Sequence, residues 1–141
     1  MVYKKVSILL AMIAVMLTSC TKNNNGGQEC NQNIICYTSP PSTLFVVLRI
    51  SPSPDGTPVK IRMYEGNVDN GVLFDSFETM ALEETYILPV NQRYSAEAEY
   101  SDGEITIIAV DGDRLNRESF ENCDQTCYDW DHSITLDLEL N

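Results

Sequence analysis

The side chains that could do chemistry are few. One histidine is present, His132, in the run Tyr128-Asp129-Trp130-Asp131-His132, with Ser133 next. A Ser-His-Asp arrangement would have to recruit Ser133 and Asp131, yet neighbours in extended chain point to opposite faces and no nucleophile elbow is present. His132 therefore reads as a surface residue just before a strand. Asp111-Gly112-Asp113-Arg114-Leu115-Asn116 offers oxygens close together, as a hard cation requires. A calcium loop would need an oxygen ligand at its fifth position, glycine at its sixth and glutamate at its twelfth. Leu115, Asn116 and Asn122 stand there, so a turn is expected instead. The 21 acidic residues supply so many carboxylate pairs that none is singled out for glycoside hydrolysis. The expectation is a chain with no catalytic residues, no metal and no cofactor.

The five cysteines are the other reactive groups. Cys20 closes a stretch of Lys4 and Lys5, the uncharged run Val6 to Leu17, and Leu17-Thr18-Ser19-Cys20. A positive start, an apolar run too short to cross a bilayer and small residues before a cut site form the pattern of a removable secretory peptide. A leucine three positions before a cysteine, with two small residues between, resembles the lipobox of bacterial lipoproteins. That resemblance implies a diacylglyceryl group on the Cys20 thiol, cleavage before it and further acylation, as by palmitate, of the new amino terminus. Thr21, where that family's sorting rule would read Asp as a retention signal, favours the outer membrane. Export implies an oxidising compartment, where Cys30, Cys36, Cys123 and Cys127 form two disulfides. The expected pairing is short-range, Cys30 with Cys36 and Cys123 with Cys127, because residues a few positions apart meet often during export. A four-thiolate zinc cage is the alternative, although spacings of C-x5-C and C-x3-C are not those of zinc knuckles.

These groups need a scaffold, and its extent follows from composition. Removing residues 1–19 from the 141 leaves 122, one domain able to bury a core of its own. Residues 20–29, rich in Asn and Gly without apolar side chains, read as a tether, and residues 30–141 as the domain. Loss of Lys4 and Lys5 takes the formal charge from −12 to −14, which repels nucleic acid and anionic head groups. Any partner selected by charge is cationic.

Strand follows strand from Thr43 onward. Leu44, Val46, Leu48 and Ile50 alternate with Phe45, Val47 and Arg49, and Val59, Ile61 and Met63 with Lys60, Arg62 and Tyr64. Prolines and Asp55-Gly56 end the first of these. Further strands are expected at Val72 to Phe77, at a short run up to Leu88, at Arg93 to Tyr100 and at Glu104 to Val110. Asp102-Gly103 makes the turn between the last two. A seventh spans Ile134 to Leu140. Seven short strands and no long helix predict an all-β, single antiparallel β-sandwich of Ig-like or transthyretin-like Greek-key type.

The segments Gly56 to Tyr64, Tyr86-Ile87-Leu88-Pro89-Val90 and Tyr94-Ser95-Ala96-Glu97-Ala98 resemble transthyretin-like and carboxypeptidase-regulatory-like domains over roughly residues 43–110. The glycine usual before the Tyr-x-Leu strand is replaced by Glu83 to Thr85. Such domains are non-catalytic modules of envelope proteins. The function this implies is an outer-membrane-anchored binding or assembly module for a protein or a glycan. The alternative is an inhibitor of a cationic envelope-attacking enzyme such as lysozyme. Binding residues are sought in the irregular stretch from Asn122 to His132: Tyr128, Trp130, Asp129 and Asp131, where aromatics can stack on a sugar or anchor a protein. The competing expectation for Trp130, and the favoured one, is that it plugs the end of the core beside Cys123 and Cys127.

Overall fold

The computed structural model describes residues 33–140; the expectations placed on Met1 to Cys30 lie outside them. Among the described residues there are nine strands: β1 Thr43–Arg49, β2 Val59–Glu65, β3 Val72–Thr79, β4 Glu83–Pro89, β5 Gln92–Ser101, β6 Thr106–Leu115, β7 Ser119–Asn122, β8 Gln125–Tyr128 and β9 Ser133–Asp137. They make a three-stranded sheet in the order β4-β1-β9, a four-stranded sheet in the order β3-β2-β5-β6, and a separate hairpin of β7 and β8. The all-β sandwich expected from the alternation is therefore the fold, with nine strands rather than seven. One pairing departs from an antiparallel design: β9 runs parallel to β1, from Phe45 opposite Ser133 to Arg49 opposite Asp137.

Alternation fixes which face each strand buries. Leu44, Val46 and Leu48 of β1 and Ile134 and Leu136 of β9 meet Val59, Ile61 and Met63 of β2 and Tyr94, Ala96, Ala98 and Tyr100 of β5. Val46, Leu48, Ile61 and Met63 are fully enclosed. Each such aliphatic side chain contributes about 1.5–3 kcal/mol by leaving water. Ala96 and Ala98 face Met63 and Ile61 across the β2–β5 pair, small against large, which lets the opposing layer approach.

Both open sides of the sandwich are bridged. On one, the Tyr86 hydroxyl of β4 donates to Asp75 Oδ2 of β3 at 2.8 Å, with Phe74 and Phe77 packed around the Tyr86 ring. On the other, the Asp137 amide of β9 donates to Asp111 Oδ2 of β6 at 2.7 Å. The second bridge corrects the turn expected at Asp111-Gly112-Asp113: these residues lie inside β6, paired with Ala96, Ser95 and Tyr94. β5 runs ten residues and supplies a ladder along its whole length, which overrides the local turn preference of Asp and Gly. Gly112 suits the site for a second reason, since a Cβ there would lie 2.7 Å from the Ser95 Cβ. The turns expected at Asp55-Gly56 and Asp102-Gly103 are present, with both glycines at positive φ. Asp55 Oδ1 accepts from the Thr57 hydroxyl and amide and from Ser53 Oγ, and these bonds hold its carboxyl far below the ordinary carboxylate range.

Three core tyrosines give the fold a sensitivity to base. Burial raises the hydroxyls of Tyr86, Tyr94 and Tyr100 above their ordinary value, and for Tyr86 the bond to Asp75 adds to it. The folded state then holds these protons more tightly than the unfolded chain does. Their stabilisation is present below the unfolded value of about 10 and is lost as pH rises past it. Melting temperature should accordingly fall above about pH 10, with tyrosinate absorbance rising together with unfolding. Titration of Tyr86, Tyr94 and Tyr100 in the intact fold near pH 10 would contradict this.

Candidate binding site at the β7–β8 hairpin

The stretch expected to be irregular, Asn122 to His132, is largely a hairpin and its exit. Asn122 pairs with Gln125, so Cys123 and Asp124 are the two loop residues, and both have positive φ, as a tight twisted hairpin requires. The hairpin is laid against residues 36 and 37 by an antiparallel bridge between Tyr37 and Tyr128. There the Tyr128 amide donates to the Tyr37 carbonyl at 2.9 Å. This contact sets Cys36 beside Cys127, and the two are joined with their Cα atoms 5.0 Å apart.

That bridge corrects the short-range pairing of Cys30 with Cys36 and Cys123 with Cys127. Cys127 is enclosed on β8 and faces the Cys36 segment, whereas Cys123 sits at the hairpin tip. Sequence proximity loses to a hairpin that points its two cysteines at different neighbours. Cys123 is disulfide-bonded as well.

The result is an open hollow of about 310 Å³, lined by Ile34, Ile35, Tyr37, Phe120, Tyr128, Asp129, Trp130 and Asp131. All four expected binding residues, Tyr128, Asp129, Trp130 and Asp131, line it. Trp130 does not plug the core: it is 44% exposed, its ring lies 5.7 Å from that of Tyr37 at an interplanar angle of 47°, and its Nε1–H donates to the Ser39 carbonyl at 3.1 Å. Pro41, nearby in sequence to Ser39, is buried, and its carbonyl accepts from Arg117 Nε at 2.8 Å. Ile35 is 71% exposed at the rim. Four aromatic residues, Tyr37, Phe120, Tyr128 and Trp130, line this hollow.

Sequence reading missed Ile34, Ile35, Tyr37 and Phe120. They come from two segments more than eighty positions apart, united by the Cys36–Cys127 bridge, the Tyr37–Tyr128 pairing and the contacts of Trp130 with Tyr37 and Ser39. Two cysteines with aromatic neighbours, Cys36 between Ile35 and Tyr37 and Cys127 just before Tyr128 and Trp130, were the available signal, and it required the correct disulfide.

His132 lies beside the hollow rather than in it, with Nδ1 3.7 Å from Glu118 Oε1. Glu118, Asp129 and His132 each bring one ligand atom within 4.8 Å of the others. Metal–ligand bonds of about 2.0–2.2 Å place neighbouring donors roughly 3.4 Å apart, so the three as they stand do not close a coordination sphere. Ser133 begins β9 and is exposed. No family model matches the chain, and comparison with curated proteins and with solved structures finds no match.

Proposed function

We propose that this protein is a lipid-anchored lipoprotein of the bacterial outer membrane. In this reading its sandwich serves as a non-catalytic binding module, and the hollow beside Trp130 is its contact surface. One observation carries the proposal: three aromatic rings, Tyr37, Phe120 and Trp130, stay exposed on a platform whose two parts, the segment around Cys36 and the β7–β8 hairpin, are joined by a disulfide. Leaving large rings in water forfeits about 25 cal/mol per Å² of burial, a cost that a contact surface recovers on binding. The bridge and the Tyr37–Tyr128 pairing order the platform in advance, which lowers the entropy lost when a ligand arrives.

Two substitutions test the two halves separately. Cys20→Ala should move the protein from the membrane to the soluble fraction or leave it as an uncleaved precursor, because stable anchoring takes two or more acyl chains at about 0.8 kcal/mol per buried methylene. A mutant that remains mature and membrane-bound would end the lipoprotein reading. Trp130→Ala should weaken partner capture at least tenfold, about 1.4 kcal/mol or more, while far-UV circular dichroism and melting temperature stay near wild type. Unimpaired capture by the folded mutant would remove the hollow from the function.

A further inference from the structure

We infer that the hollow is built to receive an arginine side chain of a basic protein partner, the guanidinium lying on the indole of Trp130 and bonded to Asp129 or Asp131. This rests on the binding-module reading and adds the ligand's chemistry to it.

The hydrogen-bonding character of the lining is one-sided. Of its eight residues, Ile34, Ile35 and Phe120 offer no polar side-chain atom, and Asp129 and Asp131 are acceptors only. The indole N–H, the donor that a sugar hydroxyl would use, is already committed to the Ser39 carbonyl. What remains, besides the hydroxyls of Tyr37 and Tyr128, is aromatic face and carboxylate oxygen. A glycan carries donors and acceptors on every ring and would find only the two tyrosine hydroxyls among these side chains to donate to its acceptors. A guanidinium has five N–H donors and no acceptor, is planar and stacks on aromatic rings.

Charge agrees with this. Between residues 117 and 132 the hairpin and its flanks carry Glu118, Glu121, Asp124, Asp129 and Asp131 against Arg117 and His132. Arg117 is turned to the Pro41 carbonyl and does not line the hollow. The rest of the chain adds to the field, carrying −8 of the formal −12 of the whole. A cation approaching the platform thus meets attraction at long range and two carboxylates at short range. Asp129 Oδ1 accepts the Asp131 amide at 2.9 Å, a turn that holds the two acids on either side of Trp130.

The test uses the one tryptophan of the chain as its reporter. The full-length protein in non-ionic detergent would be titrated with acetyl-Gly-Arg-Gly-Arg-Gly-amide and with the same peptide carrying citrulline, which keeps the planar shape without the charge. Fluorescence of Trp130 and calorimetry would both be read. The arginine peptide should quench saturably and bind at least tenfold more tightly than the citrulline peptide. Raising salt should narrow that gap, and Asp131→Asn or Asp129→Asn should weaken the arginine peptide several-fold without altering the melting temperature. Equal affinity for the two peptides, or Asp→Asn variants that bind the arginine peptide as wild type does, would overturn the inference. If neutral oligosaccharides then bind and lose affinity in Trp130→Ala, the arginine assignment fails while the binding-module reading stands. If neither peptide nor oligosaccharide perturbs Trp130, both fail.

Discussion

Replacing Cys36 and Cys127 together by alanine should lower the stability of the domain by roughly 2–4 kcal/mol and abolish the hollow. The bridge spans 91 positions, and closing a loop of that size constrains the unfolded chain by about 4–5 kcal/mol in the chain-entropy account. Cys123 keeps a disulfide of its own in the double mutant, so part of that constraint survives and the smaller range applies. A domain of this size loses several degrees of melting temperature for each kcal/mol, so a fall of roughly 10 °C or more is expected. Melting the wild-type protein in reductant should give a larger fall, because the disulfide of Cys123 opens as well. The effect on the site is larger than the effect on the fold. Ile34, Ile35 and Tyr37 are held to Phe120 and Trp130 by this bridge, the Tyr37–Tyr128 pairing and the contacts of Trp130 with Tyr37 and Ser39, while the sandwich core of β1, β2, β5 and β9 lies elsewhere. Trp130 emission should therefore shift to the red at temperatures where circular dichroism still reports intact sheets. Coincident loss of both signals would show that the hairpin is part of the core unit.

The elements legible in the sequence are those whose own residues carry the rule. Leu44 to Ile50, Val59 to Tyr64 and Arg93 to Tyr100 each carry an apolar residue at every second position, and each forms a strand with that face inward, although in β5 Ser95 and Glu97 of the other face are buried too. Asp102-Gly103 announces its turn because glycine takes a positive φ without cost. The β7–β8 hairpin is silent for the converse reason: Cys123 and Asp124 hold positive φ with no glycine present, in a segment whose geometry is set by disulfides. Alternation also says which face of β9 is buried but not which strand lies beside it, so the parallel pairing with β1 had no local signature. The candidate site divides in the same way. Tyr128, Asp129, Trp130 and Asp131 are contiguous and could be singled out together, whereas their partners at 34–37 and 120 are brought in by contacts distant in sequence.

Ending the chain after His132 should abolish folding, although only the last of nine strands is removed. β9 and the residues after it place Ile134, Leu136 and Leu138 in the core, the last two fully enclosed. At about 1.5–3 kcal/mol for each side chain, their loss removes roughly 5–9 kcal/mol. Domains are stable by only about 5–15 kcal/mol in all. The deletion also strips polar partners that burial makes costly to lose. Tyr100, fully enclosed on β5, donates its hydroxyl to the Leu138 carbonyl at 2.7 Å, and that hydroxyl in turn accepts the Ser51 amide at 3.2 Å. An unmatched buried hydroxyl costs about 1–3 kcal/mol more. Two graded variants separate these contributions. Leu136→Ala should cost about 2–5 kcal/mol by opening a cavity between the sheets. Tyr100→Phe should cost less, about 1–2 kcal/mol, because it removes the donor together with its need for a partner and leaves only the Leu138 carbonyl and Ser51 amide to find water. Urea unfolding followed by circular dichroism would rank the three. A truncated chain that still shows a cooperative transition with wild-type midpoint would mean that β1 and β4 close the core against the four-stranded sheet unaided, and that the parallel pairing is an ornament of the fold instead of a condition for it.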